Sequence, residues 1–445
     1  EKIKTVVFDA SFACARPTET IKQMKLFYSR YIYTLVALLM SLAMANAQDV
    51  TEYDDEQGID TVDSLGVDTF EVARQALPWD QAVRKHLDHL LNHEMFNTSQ
   101  VGIMVYDLDA DSTIYARGER QLLRPASTMK VITAITAIDK LGGSYRFKTE
   151  LCYKGEVANN TLNGNVYCVG GFDPRFNIDD MRAFVEGIRK MGVDTIRGNI
   201  YADKTMKDAD TLGNGWCWDD DNPILSPLLI SRRNVFAERF VHELQEAGIV
   251  VEGIIGEARR PEDAYCITSR FHSIDQILMK MLKESDNLYA ESMFYQLGAA
   301  AGHQPSTAKN SAAVIDRLIR KVGLDPKRYS IADGSGLSLY NYLSAELEVR
   351  FLRYAFQNNN IYLHLHPALP IAGEDGTLRS RQHGTFTKGN VYAKTGTLTG
   401  ISSLAGYCTA ANGHRLAFAI INQGVMHRAN GRAFQDRVCT VLCQP

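Results

Sequence analysis

Strand-forming sequence stands near both ends of this 445-residue chain, and helical sequence fills the interval between. At the N-terminal side, "SQVGIMVYDLDADSTIYARG" (99–118) reads as two strands flanking a tight polar turn at "DADS". At the C-terminal side, "LAGYCTAANGHRLAFAIINQ" (404–423) reads as two more, turning at Ala411-Asn412-Gly413. A strand edge left unpaired is costly, so the two sets are expected to complete one antiparallel sheet, with the intervening helices on its faces. The fold class expected is therefore α/β in the α+β sense. The segment before the last pair, "VYAKTGTLTG" (391–400), is also strand-like, but it places Lys394, Thr395, Gly396 and Thr397 where a buried strand would carry apolar side chains.

The rest of the chain from residue 78 has three expected parts. "PWDQAVRKHLDHLLNHEMF" (78–96) puts Val83, Leu87, Leu90 and Leu91 on one side, and "RPASTMKVITAITAIDKLGG" (124–143) opens at Pro125 and closes at Gly142-Gly143. From about 150 to 267 the texture changes to short strands with one clear helix, "IDDMRAFVEGIRKMG", which reads as an inserted domain. Helical sequence resumes at "HSIDQILMKMLKESDNLYAESMFYQLGAAAG" and continues through "NSAAVIDRLIRKVG" and "SAELEVRFLRYAFQ", with a last helix at 431–443. The expected divisions are 75–150 with 268–445 as one domain and 151–267 as the insertion.

Ahead of this lie three further segments. Residues 24–47 have a basic start (Lys25, Arg30), an apolar run over 31–44 and the A-x-A site Ala45-Asn46-Ala47, which is the pattern of a cleaved signal peptide. The run is short for a membrane anchor, so no stable span is expected after cleavage, and a periplasmic location follows. Residues 1–23 read as upstream sequence outside the mature protein. Residues 48–74 form an acidic lead-in, with nine acids and no base in 48–72. Beyond residue 47 there are 42 basic against 49 acidic side chains, which gives no electrostatic footprint for nucleic acid. Seven of the eight cysteines lie beyond residue 47, and none forms a C-x-x-C. Cys152 and Cys168 flank a hairpin-like stretch and are the expected disulfide in an oxidising compartment; Cys439 and Cys443, four apart on a helix, read equally well as core thiols.

Chemistry enters with Ser127-Thr128-Met129-Lys130. Residues three apart share a helix face, so the Lys130 amine can meet the Ser127 hydroxyl. Serine is a weak nucleophile without such a base, and a desolvated lysine can serve. The spacing occurs twice, again at Ser306-Thr307-Ala308-Lys309, and other elements must choose between the copies. The one S-x-N, Ser285-Asp286-Asn287, and the one K-T-G, Lys394-Thr395-Gly396, do so: only Ser127 precedes both. The ordered set S-x-x-K, S-D-N, K-T-G is that of serine β-lactamases and penicillin-binding proteins.

With these motifs the chain resembles the class C low-molecular-mass penicillin-binding proteins, the D-alanyl-D-alanine carboxypeptidase/endopeptidase family. The likeness spans roughly 80–445 and includes "VGGFDPRF" (169–176), "GNGWCWDD" (213–220), "DGSGLS" (333–338) and "LPIAGEDGTL" (369–378). The 154 residues between Lys130 and Ser285 fit that family's inserted domain. The resemblance implies a serine β-lactamase/DD-peptidase-like antiparallel sheet flanked by helices, with a mixed domain inserted between S-x-x-K and S-x-N. It implies acylation of Ser127 by the penultimate D-alanine carbonyl of a peptidoglycan peptide, with Lys130 taking the proton. Ser285 would relay a proton to the leaving amine and Asn287 would hold Lys130 and the substrate amide. Lys394 and Thr395 would meet the terminal carboxylate, and the N–H groups of Ser127 and Thr397 would form the oxyanion hole. β-Lactams are implied as covalent inhibitors, and no cofactor or metal is called for. Asp220 matches the family's amine-binding aspartate in W-x-W-[ND]-D; Asp219 and Asp221 flank it, and a solvated acidic loop is the competing reading. A β-lactamase or esterase on the same machinery, or a non-catalytic binding protein, are the other functions such a chain could have. His364 and His366 fall on one side of the strand-like "YLHLHPALP" (362–370), but with no third ligand they read as surface or packing residues.

Overall fold

The computed structural model describes residues 77–218 and 222–444. The expected signal peptide (24–47), the residues before it (1–23) and the acidic lead-in (48–74) lie outside the described residues. So does Asp220, with Asp219 and Asp221.

In chain order, α1 (Trp79–Leu90) leads into β1 (Gln100–Asp107), β2 (Ser112–Arg117) and α2 (Met129–Leu141). A second group follows: β3 (Arg146–Ala158), β4 (Thr161–Val169), α3 (Ile178–Lys190), β5 (Thr195–Arg197), β6 (Ile200–Asp203), α4 (Phe236–Glu246), β7 (Val250–Val251), β8 (Ile255–Glu257) and β9 (Tyr265–Ser273). Then come α5 (Ile274–Lys283), α6 (Asn287–Ala300), α7 (Ala308–Lys321), α8 (Ala345–Gln357) and α9 (Asn359–Ala368). The chain closes with β10 (Tyr392–Leu398), β11 (Ile401–Thr409), β12 (Arg415–Gln423) and α10 (Arg428–Cys443).

The strands from the two ends join as expected. The sheet order is β10-β11-β12-β1-β2, antiparallel throughout, with β1 running along β12 from Gln100 opposite Gln423 to Asp107 opposite Leu416. β1 and β12 are apolar on both faces because both faces are covered. Met104, Ala417 and Ala419 face a core shared with α2, α5, α6, α7 and α8. Ile103, Val105, Phe418 and Ile420 face Val83 and Leu87 of α1 and Phe434, Val438 and Leu442 of α10. Alternation along a strand sends successive side chains to opposite faces, so one sheet supports two helical layers.

Residues 146–273 build a second, seven-stranded mixed sheet. β4, β3 and β9 pair antiparallel, while β5 to β8 join by parallel ladders. The β3–β4 hairpin turns at Asn159 and Asn160, both with positive φ (49° and 58°), a conformation asparagine tolerates in such turns. The core of this sheet holds Leu151, Cys168, Phe184, Ile196 and Phe240.

Two expectations fail here. Cys152 and Cys168 are not bonded. Cys168 sits opposite Leu151 and shares its face in the core, so Cys152, one residue along β3, points the other way, toward Cys266. "YLHLHPALP" is not a strand; most of it lies in α9. The alternation of Leu and His suggests period two, but Ile361, Leu365 and Ala368 are the buried set, and their spacing is helical. His364 instead pairs with Asp275 (2.6 Å), and His366 stacks on Tyr392 with ring centroids 4.2 Å apart. Cys439 and Cys443 are buried in the core beneath β11.

Candidate active site

Ser127 lies in a 3-10 turn, Ala126–Thr128, that runs straight into α2. The turn is fixed from several sides. Pro125 O accepts from Thr128 Oγ1 (2.8 Å) and from Ser403 Oγ of β11 (2.5 Å). Ala126 has φ 49°, left-handed and rare for a residue with a Cβ. Ser285 shares the feature, with φ 60° in the short break between α5 and α6. Backbone held in such conformations is strained and persists where surrounding contacts determine it. The break at Ser285 is stabilised by Asp286, whose side chain caps α6 by accepting from Tyr289 N (3.3 Å) and pairs with Arg232 (2.6 Å).

Lys130 is the hub. It has no exposed surface, and its Nζ lies 2.9 Å from Ser127 Oγ, 2.7 Å from Asn287 Oδ1 and 2.8 Å from Ser335 O. Three acceptors match the three donors of an ammonium; a neutral amine can instead receive the Ser127 proton on its lone pair. Burial lowers the Lys130 pKa to about 8, against the opposing pull of Asp333, Glu291 and Asp286. That brings a normally inert cation into the range where it can serve as a base.

Lys394 is equally buried. Its Nζ donates to Ser285 Oγ (2.9 Å) and to Thr395 O (2.8 Å). Burial, and then the charge of Lys130, hold its pKa well below the ordinary lysine value. Thr395 Oγ1 donates to Thr377 Oγ1 (2.7 Å), which brings "GEDGTL" to the same wall. Gly396 explains why β10 can lie against the nucleophile turn. A Cβ there would stand 2.1 Å from Ser403 Oγ, 2.7 Å from Pro125 O and 3.0 Å from Ser127 N. Thr397, opposite Ser402 in the ladder, is the next residue along that wall. The fold thus gathers Ser127, Lys130, Ser285, Asn287, Lys394, Thr395, Gly396 and Thr397 where β10, the start of α2 and the start of α6 meet.

A supporting layer went unread in the sequence. Glu291 is buried one helical turn past Asn287, and its carboxyl accepts from Gly334 N (3.1 Å) and Ser335 N (2.8 Å). This sets Ser335 O against Lys130. Burial, then the nearby Asp333, raise the Glu291 pKa to about 8. Asp333 accepts from Gly336 N (2.7 Å), Ser338 N (2.6 Å), Asn341 Nδ2 (2.7 Å) and the indole N–H of Trp216 (2.8 Å). Trp216, in the segment between β6 and α4, reaches the loop beside Lys130, while Trp218 is exposed. "DGSGLS" and "GNGWCWDD" were visible as stretches, but nothing in their composition says that one holds the other.

The sequence profile of the D-Ala-D-Ala carboxypeptidase 3 (S13) family matches residues 83–232 and 229–444. A D-alanyl-D-alanine carboxypeptidase from Actinomadura sp. (strain R39) is 26% identical over 463 aligned positions, covering 81% of this chain and 84% of that protein. The crystal structure of penicillin binding protein 4 (dacB) from Haemophilus influenzae superposes with a TM-score of 0.73 at 22% identity, over 79% of this chain and 97% of that one. The same protein complexed with a novel β-lactam gives a TM-score of 0.68 at 23% identity, over 79% and 98%. These two structures share the fold described above.

Proposed function

The chain belongs to the D-Ala-D-Ala carboxypeptidase 3 (S13) family, and from that premise we propose that its cleft hydrolyses the terminal D-Ala–D-Ala bond of peptidoglycan stem peptides through an acyl-enzyme on Ser127. The observation that carries this reading is the Lys130 amine, fully buried and held between Ser127 Oγ and Asn287 Oδ1.

Neutral Lys130 takes the hydroxyl proton as Ser127 Oγ attacks the penultimate D-alanine carbonyl. The carbonyl oxygen becomes an oxyanion facing the backbone N–H groups of Ser127 and Thr397, at the positive end of α2. Ser285, hydrogen-bonded to Lys394, passes a proton to the departing amine. Asn287 keeps Lys130 in register and turns its amide to the peptide. The terminal carboxylate lies by Lys394 and Thr395; its arrival favours the charged form of a lysine that burial otherwise disfavours. Water then attacks the ester, with the proton steps reversed. Asp220 is our candidate for the free amine of the stem peptide's diamino acid. The second sheet, with 151–267 as its domain, would serve to carry that loop. β-Lactams would acylate Ser127 as substrate mimics. A cleaved signal peptide over 24–47 would bring the enzyme to the periplasm, where its substrate is.

The test is to incubate the protein with labelled penicillin and, separately, with muropeptides, and to resolve products by mass. We expect label on Ser127 and loss of one D-alanine from pentapeptides; conversion of cross-linked dimers to monomers would add endopeptidase activity. Unlabelled protein together with unchanged muropeptides would overturn the reading, and rapid penicillin turnover with inert muropeptides would make it a β-lactamase.

A further inference from the structure

β3 and β9 are the strands by which the chain passes into the second sheet and out of it. Cys152 on β3 stands directly opposite Cys266 on β9 in the antiparallel ladder, and their sulfurs are 2.7 Å apart. The register shifts between Leu151 and Cys152, a bulge that re-aims the Cys152 side chain. Direct cross-strand neighbours have Cα separations of about 4.5–5.5 Å, within the range a disulfide spans. The other thiol of this hairpin, Cys168, faces the opposite core and does not compete.

The surroundings suit oxidation. Cys152 is fully buried and Cys266 is exposed, so an external reagent reaches the pair through Cys266. Arg260 Nη1 lies 3.4 Å from Cys266 Sγ and 3.6 Å from Cys152 Sγ, and the Arg260 backbone N–H is anchored on Asp203 (2.7 Å). Glu150 Oε1, 3.7 Å away, accepts from Cys266 Sγ, so an acid and a base both face the exposed sulfur. Burial, then the hydrogen bond with Cys266, push the Cys152 thiol up to about 12, and Cys152 is buried, so the first attack on an external reagent falls to the exposed Cys266.

We propose that Cys152 and Cys266 form a disulfide that staples the neck of the second sheet. The Cys266 thiolate attacks one sulfur of an external disulfide, a small-molecule or protein thiol oxidant, and expels its other sulfur as a thiolate. Cys152, giving up its proton, then attacks Cys266 Sγ and expels the second oxidant sulfur. Two protein thiols lose two protons and two electrons, and the external disulfide is reduced to two thiols. The bond closes a loop between residues 114 apart. That loop carries Trp216, whose indole holds the Asp333 loop beside Lys130. Constraining so long a loop stabilises chiefly by restricting the unfolded chain.

The experiment treats the full chain with oxidised glutathione, blocks remaining thiols with N-ethylmaleimide without reductant, and maps peptides by mass. A Cys152–Cys266 linked peptide two hydrogens lighter than the separate thiols is expected, with Cys168 alkylated once denatured. The unfolding midpoint of oxidised protein should exceed that of dithiothreitol-treated protein by several degrees; Cys266→Ser should abolish the gap and Cys168→Ser should keep it. Recovery of both cysteines as alkylated thiols, Cys266 carrying glutathione with Cys152 free, or either linked to a different cysteine would overturn the proposal. Peptide mapping of the unmutated chain decides it even where a variant fails to fold.

Discussion

The chain carries the same four-residue spacing twice, and its two copies have opposite fates. Ser127 and Lys130 straddle the start of α2, so the helix itself brings hydroxyl and amine to 2.9 Å. Ser306 precedes Thr307, the residue that caps α7, and so lies outside the helix. Its hydroxyl is buried and donates to Tyr295 O (2.7 Å), while Lys309 is exposed. A serine committed to a backbone carbonyl, beside a solvated lysine, has neither a base nor an open face. Spacing alone therefore does not make a nucleophile; what decides is where the helix begins and whether the amine is buried among acceptors.

The sharpest way to break that contrast is to delete each hydroxyl. Ser127→Ala should reduce penicillin acylation by roughly 10³-fold or more, since the group that forms the covalent bond is gone. Ser306→Ala should leave the acylation rate within about twofold and cost about 1 kcal/mol of stability, the usual worth of one hydrogen bond. Stopped-flow labelling and thermal unfolding on both variants would read the two effects. Equal losses of acylation would show that the copies are not distinguished by their surroundings.

The next effect is graded by pH. In the proposed mechanism Lys130 acts as the free amine, and its pKa is lowered to about 8, so the base is present above that value and lost as pH falls through it. Acylation should climb about tenfold per pH unit below the midpoint and level off above it. Asp333 pulls the Lys130 pKa upward, so Asp333→Asn, which removes that charge, should move the midpoint to lower pH. A flat profile between pH 6 and 9 would remove Lys130 from the proton-transfer role; a midpoint that rises in the variant would contradict the electrostatics.

The two copies also show what a sequence can disclose. The sheet was legible because its strands are long, apolar and bounded by turns, and because only one pairing buries them all. The pairing of Ser127 with a buried lysine was legible because chain order excluded Ser306. The segment 362–370 was misread as a strand because period two and period 3.6 overlap over a short run, and burial of Ile361 and Leu365 settled it, while His364 and His366 are the surface and packing residues expected. The Cys152–Cys168 pairing failed because closeness in a hairpin says nothing about which face each side chain takes. Glu291, Asp333 and Trp216 were illegible for a different reason: Glu291 meets Gly334 43 residues on, and Trp216 meets Asp333 117 residues on, contacts that leave no local pattern.

Those distant contacts give the smallest and most informative test. Glu291 and Asp333 hold the loop 333–338 that places Ser335 O on Lys130, and the segment between β6 and α4 reaches that loop twice, through the Trp216 indole on Asp333 and through Asn214 O, which accepts from Ser338 Oγ (2.7 Å). Trp216→Phe keeps the aromatic packing and removes the indole N–H. Asp333 retains its donors from Ser335, Gly336, Ser338 and Asn341, and Asn214 O still accepts from Ser338, so the loop should loosen rather than collapse. Loss of one hydrogen bond to a buried carboxylate is worth about 1–3 kcal/mol. Most of this should appear as lower stability, with acylation slowed by about three- to tenfold through misplacement of the Ser335 carbonyl. The matched change at the other copy, Ser311→Ala beside Ser306, should lower stability alone. If Trp216→Phe behaves like Ser311→Ala, the indole contributes stability only and does not reach the base; if acylation falls while the pH midpoint also moves, its hold extends through Asp333 to the charge around Lys130.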